Sequence, residues 1–289
     1  MSPTEPVEVT PRLLRDWALP EPGSSKYARG QVVVVGGAAR TPGAVRLAGI
    51  AALRVGAGQL RLAVAEPAAV PLAVVTPEAA VAGLAADPDG SVLPEGLPAL
   101  ADWFETADAV VLGPGLDNPD LVTRVVEAVL PLLGGQTRLV VDAFALGALP
   151  ELGGLPPGLG ARTVLTPNES EAGRLLGREL AADPGGDVVE IAARYSAVVA
   201  CQDLVVAPDG SSWRVGAGNP GLATSGSGDV VAGVLGGLLA RGAEPAQAAC
   251  WAKFLHAAAG DRLAARIGRL GFLPSDVVQE LPTVLAELA

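Results

Sequence analysis

Residues 219–233 read Asn-Pro-Gly-Leu-Ala-Thr-Ser-Gly-Ser-Gly-Asp-Val-Val-Ala-Gly, a glycine-spaced loop running straight into an apolar helix. Asp229 is the only acid at that junction. Backbone N–H groups at such a helix start form a concave donor cluster, and the helix dipole adds positive potential there. The natural occupant is an anion, above all phosphate. A carboxylate held where anions bind is costly unless it takes a proton from an attacking hydroxyl or supports a metal. Together these residue types point to phosphoryl transfer to an alcohol. The plainer alternative is that Asp229 caps the helix, a role Asp often fills. A cap alone does not need two glycines with three small residues beside them.

Other positions carry weaker signals. Asn168-Glu169-Ser170-Glu171 has the spacing of a capping box, Asn168 at the helix start and Glu171 three residues on. The same spacing puts an amide and a carboxylate on one edge, where they can hold the water shell of Mg²⁺. Both readings can hold at once. Gly36-Gly37-Ala38-Ala39 with Pro42-Gly43-Ala44 offers close approach to a ligand, or equally tight packing of helix on sheet. Gly113-Pro114-Gly115 followed by Asp117 reads as a rigid ligand-facing turn. Asp142 can position Mg²⁺ or substrate, or cap the turn that follows. His256, in the Ala-rich stretch 253–260, is expected to be a hydrogen-bonded packing residue.

Positioning these residues requires an alternation of short strands and helices, and the chain has one. Buried strands are expected at 31–35, 59–64, 107–112, 138–141, 163–165 and 197–200, and a hairpin over 204–207 and 212–215. Helices are expected at 42–55, 120–133, 228–240 and 245–266. The pattern predicts one α/β domain over residues 30–289, preceded by an arm, residues 1–29, rich in Pro and charge. The sheet should be mostly parallel, with helices on both faces and ligands beyond the carboxyl ends of its strands. Gly36-Gly37, Gly113-Pro114-Gly115, Asp142 and Thr166-Pro167-Asn168 all fall at such ends and should meet in one crevice.

Composition narrows the partners. The 289-residue chain is half apolar with few aromatics, so its core must be built from Ala, Val and Leu. A net charge of −11 argues against nucleic acid or an anionic membrane as partner. No apolar run approaches the roughly eighteen residues that span a bilayer. Two cysteines and one histidine make neither a disulfide framework nor a zinc site, and a reduced cytoplasmic setting is expected.

With these residues assembled, the chain resembles the ADP/ATP-dependent NAD(P)H-hydrate dehydratases, a branch of the ribokinase-like superfamily. The resemblance spans residues 29–281 and is strongest over 222–233 and the helix carrying His256 and Ala259-Gly260-Asp261. The run 51–58, Ala-Ala-Leu-Arg-Val-Gly-Ala-Gly, points to the dehydratase branch, and 112–116 supports it. It implies a ribokinase-like, three-layer fold and return of (6S)-NAD(P)HX, the hydrated cofactor, to NAD(P)H. Asp229 would be the catalytic base and touch the hydrated nicotinamide. Ala44, Gly115 and Asn168 would contact the dinucleotide. Gly226, Ser227, Gly228, Gln202 and Asp203 would hold ADP or ATP, and Asn168 with Glu171 would hold Mg²⁺ through water. A homo-oligomer is implied. The first 29 residues are too short for the epimerase domain sometimes fused ahead of this module, so a separate NAD(P)HX epimerase would be a functional partner. Three positions depart from the family pattern. Asn168 stands where many members have His, Asp142-Ala143-Phe144 replaces Asp-Ala-Asp, and residues 199–203 lack a Lys-Gly pair that helps hold the nucleotide. The rival readings are a small-molecule kinase of the same fold, acting on a vitamin precursor or sugar, and a nucleotide-binding protein without catalysis.

Overall fold

The computed structural model describes residues 5–288; residues 1–4 of the expected arm and residue 289 of the expected domain lie outside the described residues. The strands are β1 (Val7–Glu8), β2 (Gln31–Val35), β3 (Gln59–Ala65), β4 (Ala79–Leu84), β5 (Ala109–Leu112), β6 (Arg138–Val141), β7 (Thr163–Leu165), β8 (Val198–Cys201), β9 (Leu204–Val206) and β10 (Ser212–Arg214). They form one sheet in the order β1-β10-β9-β8-β7-β6-β5-β2-β3-β4. Only β9 runs against the others, because both of its neighbours pair with it antiparallel while every other pairing is parallel.

The helices are α1 (Pro11–Asp16), α2 (Pro42–Arg54), α3 (Glu66–Val75), α4 (Ala101–Glu105), α5 (Pro119–Val129), α6 (Phe144–Glu151), α7 (Glu169–Leu176), α8 (Gly185–Tyr195), α9 (Ser227–Ala240), α10 (Pro245–Arg266) and α11 (Pro274–Leu288). Side chains alternate across a strand, and β2 shows how the core divides. Val32 and Val34 join a cluster with α2, α9, α10 and α11, whereas Val33 and Val35 join one with α5, α6, α7 and α8. The unbroken apolar run at 31–35 is thus a strand buried on both faces. The expected three layers are present.

Small residues let the layers close up. A Cβ at Gly233 would lie 2.0 Å from the Ala48 carbonyl oxygen, so α9 sits almost backbone to backbone on α2. The segment expected as an arm is built into the domain. β1 extends the sheet beside β10, Leu14 is fully buried, and the Trp17 carbonyl accepts from Gln247 Nε2 and Trp251 Nε1. No helix among the described residues is long and apolar enough to cross a membrane.

From β2 the chain steps outward through β3 and β4, then returns to the other side of β2 as β5 and continues through β6, β7 and β8. The direction of winding therefore reverses between β2 and β5. Loops on either side of such a reversal part beyond the carboxyl ends of the strands and leave a crevice.

Candidate active site

The loops after β2, β5, β6 and β7 deliver this crevice. The loops after β2 and β5 are tied together, with Gly37 N–H donating to Pro114 O at 2.8 Å and Thr41 Oγ1 to Gly115 O at 2.7 Å. Gly115 has a φ of 72°, and a Cβ there would fall 3.1 Å from that of Ala44, so these two positions share one wall. At Gly113 a Cβ would lie 1.8 Å from the Asp142 carbonyl oxygen, so only glycine lets the end of β6 come this close. Ala143 then takes φ 51° and ψ −135°, a conformation that costs on the order of 1–3 kcal/mol for a residue with a side chain.

That turn leaves Asp142 buried, with Thr166 Oγ1 donating to its carboxylate at 2.6 Å. Ala143 starts α6 without a side-chain cap, and its backbone N–H bonds the Asp142 carboxylate. Burial pushes its pKa up to about 7, opposed by the Thr166 hydrogen bond and assisted by the charges of Asp229 and Glu171. These three carboxylates therefore stand within electrostatic reach of one another.

The start of α9 removes the capping reading of Asp229. Its N-cap is Gly226, at φ 92°, and Asp229 lies two residues inside the first turn. Asp229 is not the cap. No hydrogen bond from a described residue reaches its carboxylate, and burial alone pushes its pKa up to about 6. The amides of Ser225, Gly226, Gly228 and Asp229 likewise find no acceptor among the described residues, while that of Ser227 donates to Thr224 O. Four free donors around a helix start form a concentrated anion site. A Cβ at Gly228 would meet nothing within 4 Å, so no packing against the protein requires a glycine there. The Ser227 side chain turns the other way, its Oγ 2.8 Å from His256 Nε2 in the interior. His256 is thus a packing residue, as expected. Burial first, and then the charge of Lys253, lower its pKa to about 3 and keep the ring neutral.

A cavity of about 520 Å³ opens between the end of β6 and the starts of α7 and α9, lined in part by Asp142, Thr166, Asn168, Gln202, Gly228 and Lys253; Ala44, Gly115 and Asp229 do not line it. Asn168 and Glu171 form the complete capping box at the start of α7, with both reciprocal bonds at 2.9 Å. The Asn168 oxygen is engaged there, and its amide nitrogen is the group left to face a ligand as a donor. Glu171 keeps one oxygen unused by the box, and burial raises its pKa. Gln202 and Asp203 are the two-residue turn between β8 and β9. Gln202 reaches the cavity and bonds Glu169. Asp203 does not line it, and its carboxylate is held by Arg214 at 2.8 Å.

Sequence reasoning overlooked Lys253. Its signal is that it is the one charged residue in the apolar stretch 245–260, three positions before His256 on the same helix.

A family model described as NAD(P)H-hydrate dehydratase matches residues 32–283. A Xanthomonas campestris protein named ADP-dependent (S)-NAD(P)H-hydrate dehydratase is 41% identical over 97% of this chain and 96% of its own length. The bifunctional NAD(P)H-hydrate repair enzyme Nnr of Moorella thermoacetica is 36% identical over 93% of the chain, which spans only 51% of that protein. Among solved structures, a ribokinase-like superfamily protein from Enterococcus faecalis superposes with a TM-score of 0.84 at 26% identity, covering 98% of this chain and 96% of that one. The Bacillus subtilis ADP/ATP-dependent NAD(P)H-hydrate dehydratase, co-crystallised with ATP/Mg²⁺, gives a TM-score of 0.83 at 28% identity, covering 98% and 99%. With the fold, the anion loop and these matches in agreement, the chain belongs to the NAD(P)H-hydrate dehydratase family.

Proposed function

We propose that the protein returns (6S)-hydrated NADH or NADPH to the reduced cofactor, with ADP as phosphoryl donor and ATP as an alternative one. The observation that carries this reading is the unpaired Asp229 carboxylate beside four amides without acceptors. ADP is preferred because the 41%-identical relative is named for it.

Hydration leaves a hydroxyl on C6 of the ring, a poor leaving group. Asp229 takes the proton of that hydroxyl as its oxygen attacks the terminal phosphorus and the bond to the departing nucleotide breaks. The amides of Gly226 and Gly228 offset charge that develops on the phosphoryl oxygens, an effect often worth several kcal/mol. Phosphate then leaves C6 with the C–O electron pair, the ring nitrogen supplying electrons, and loss of a ring proton restores the double bond. Ala44 and Gly115 form the dinucleotide side of the crevice, and the Asn168 amide donates to the substrate. Gln202 takes part on the nucleotide side. Ser227 holds the loop through His256 rather than touching phosphate, and Asp203, held by Arg214, stands back from it.

The donor set fits Mg²⁺ carried by the nucleotide. Glu171 keeps one carboxylate oxygen outside its capping box, Asp142 stands within its electrostatic reach, and no group of three or more metal-ligating side chains exists among the described residues. One or two carboxylates acting through water suit this ion. Bound there, it would neutralise charge on the transferring phosphoryl group.

We assign the protein to the cytoplasm, since both cysteines are free and buried. Self-association is supported by α3, which leaves Val70, Val74 and Val75 more than half exposed. A separate epimerase would supply the (6S) form.

The test is turnover of hydrated NADPH with ADP and ATP in parallel, followed by near-ultraviolet absorbance and phosphate release. Asp229→Ala is expected to lower the rate by about 10²–10⁴ while leaving the fold intact. Near-normal turnover in that variant would sink the proposal. A stable phosphorylated product would indicate a kinase, and nucleotide binding without any turnover a non-catalytic binder.

A further inference from the structure

The cavity beside α9 has an unbalanced charge. Asp142 and Glu169 line it, and Asp229 and Glu171 stand close by. A nucleotide would add more negative charge, which helix-start amides offset only in part. Lys253 is the only cation among the described residues that line this space.

The position of Lys253 is not explained by the protein's own contacts. No described carboxylate lies within ion-pair distance of its ammonium, and no described acceptor bonds it. The titratable groups that favour its charged form are Cys201 and Asp203, and Asp203 is occupied by Arg214. Burial lowers its pKa, so the charged form is held at a cost without a partner. Its helix is fixed: Trp251 and Ala252 before it and Leu255 after it are buried, and His256 is bonded to Ser227 in the anion loop.

We propose, on the reading of the site given above, that Lys253 is the cation that holds the nucleotide's non-transferred phosphates, delivered by α10 into the cavity that Gly228 of the α9 start also lines. The side of the cavity follows from the packing of the two helices. Lys253 is carried by α10, which packs on β7, β8 and β9, whereas Asp229 is carried by α9, which packs on β2, β5 and β6. A charge placed there meets the part of the polyphosphate that does not change during reaction. It therefore binds ground state and transition state alike, which lowers KM and leaves kcat nearly unaltered.

The unmutated protein, Lys253→Met and Lys253→Arg are compared in the turnover assay. The Met variant should raise KM for ADP about tenfold or more, with kcat at saturating ADP changed less than about threefold and KM for the hydrate unmoved. Arg should recover most of the loss. An unchanged KM for ADP in Lys253→Met, or a fall in kcat alone, would overturn the assignment. Should the Met variant fail to fold, the unmutated protein decides. ADP should slow trinitrobenzenesulfonate labelling of Lys253 about tenfold, and an unaltered labelling rate would refute the role. Wild-type protein that turns over no hydrate, yet shows this protection, would remove the dehydratase reading and leave the lysine assignment standing.

Discussion

Asp229 and Asp142 are neighbouring carboxylates in different settings, and pH separates their roles. Asp229 must be ionised to accept a proton, and its pKa is pushed up to about 6 by burial. The value of kcat/KM for the hydrate should thus fall about tenfold per pH unit below about 6. A profile that stays level from pH 5 to pH 8 would contradict its role as base. Asp142 concerns stability. Its folded pKa, about 7, lies above the ordinary 3.8, so the favourable contribution of the protonated form is complete below 3.8 and is lost as pH rises through 7. Asp142→Asn keeps an acceptor for Thr166 and removes the buried charge. It should stabilise the protein at pH 8 by on the order of 3 kcal/mol, with the gain shrinking towards pH 4 in thermal melts. Gly228 separates packing from function more cleanly. Because a methyl group there meets only open space, Gly228→Ala should leave the melting temperature level or raise it by roughly 1–3 °C. The same methyl would enter the nucleotide space and raise KM for ADP about tenfold or more. Lower stability with unchanged KM would mean the glycine serves the fold instead.

Among the elements, α9 carries the most constraint. One end supplies the anion site, and its middle lies against α2 through Gly233 and Gly237. A Cβ at 233 would meet the Ala48 carbonyl at 2.0 Å, and a backbone atom yields less readily than a flexible side chain. Gly233→Ala should therefore cost about 2 kcal/mol or more and lower the melting temperature by roughly 3 °C or more. Unaltered melting would show that the two helices can part without loss. The glycines of this helix thus differ in setting: a Cβ at Gly228 would meet open space, and one at Gly233 would meet a helix. The order of residues along the helix does not reveal that difference. α10 plays a complementary part, bringing His256 to the back of the anion loop and Lys253 to its open side.

For the whole molecule, the acidic surface and the local anion site pull in opposite directions. A net charge of −11 disfavours any polyanion at long range, so affinity for a nucleotide must come from contacts within the crevice. Binding there stabilises only the folded state. ADP at about a hundred times its Kd should contribute about 2.7 kcal/mol and raise the melting temperature by roughly 5 °C. Absence of any shift over a wide ADP range would remove the nucleotide from the site.

The sequence alone determined what repeats over short distances. Apolar runs at 31–35, 138–141 and 163–165 became strands, and 245–266 became a helix with those bounds. The loop before Asp229 marked a helix start with amides free of acceptors, because a helix start with glycines has the same donors wherever it is placed. Three kinds of feature depended on tertiary structure. β4, Ala79–Leu84, carries little β preference in its Ala- and Gly-rich composition and exists because β3 offers it an edge. The segment expected as an arm became part of the sheet and core, since Val9 and Leu14 find cover only when β10 and α11 are in place. Ser227, Asp203 and Lys253 were sorted by direction: two side chains turned to partners distant in sequence, His256 and Arg214, while the third faced the cavity. Short-range periodicity is written in neighbouring residues, but the direction a side chain faces depends on partners that only the folded chain brings near.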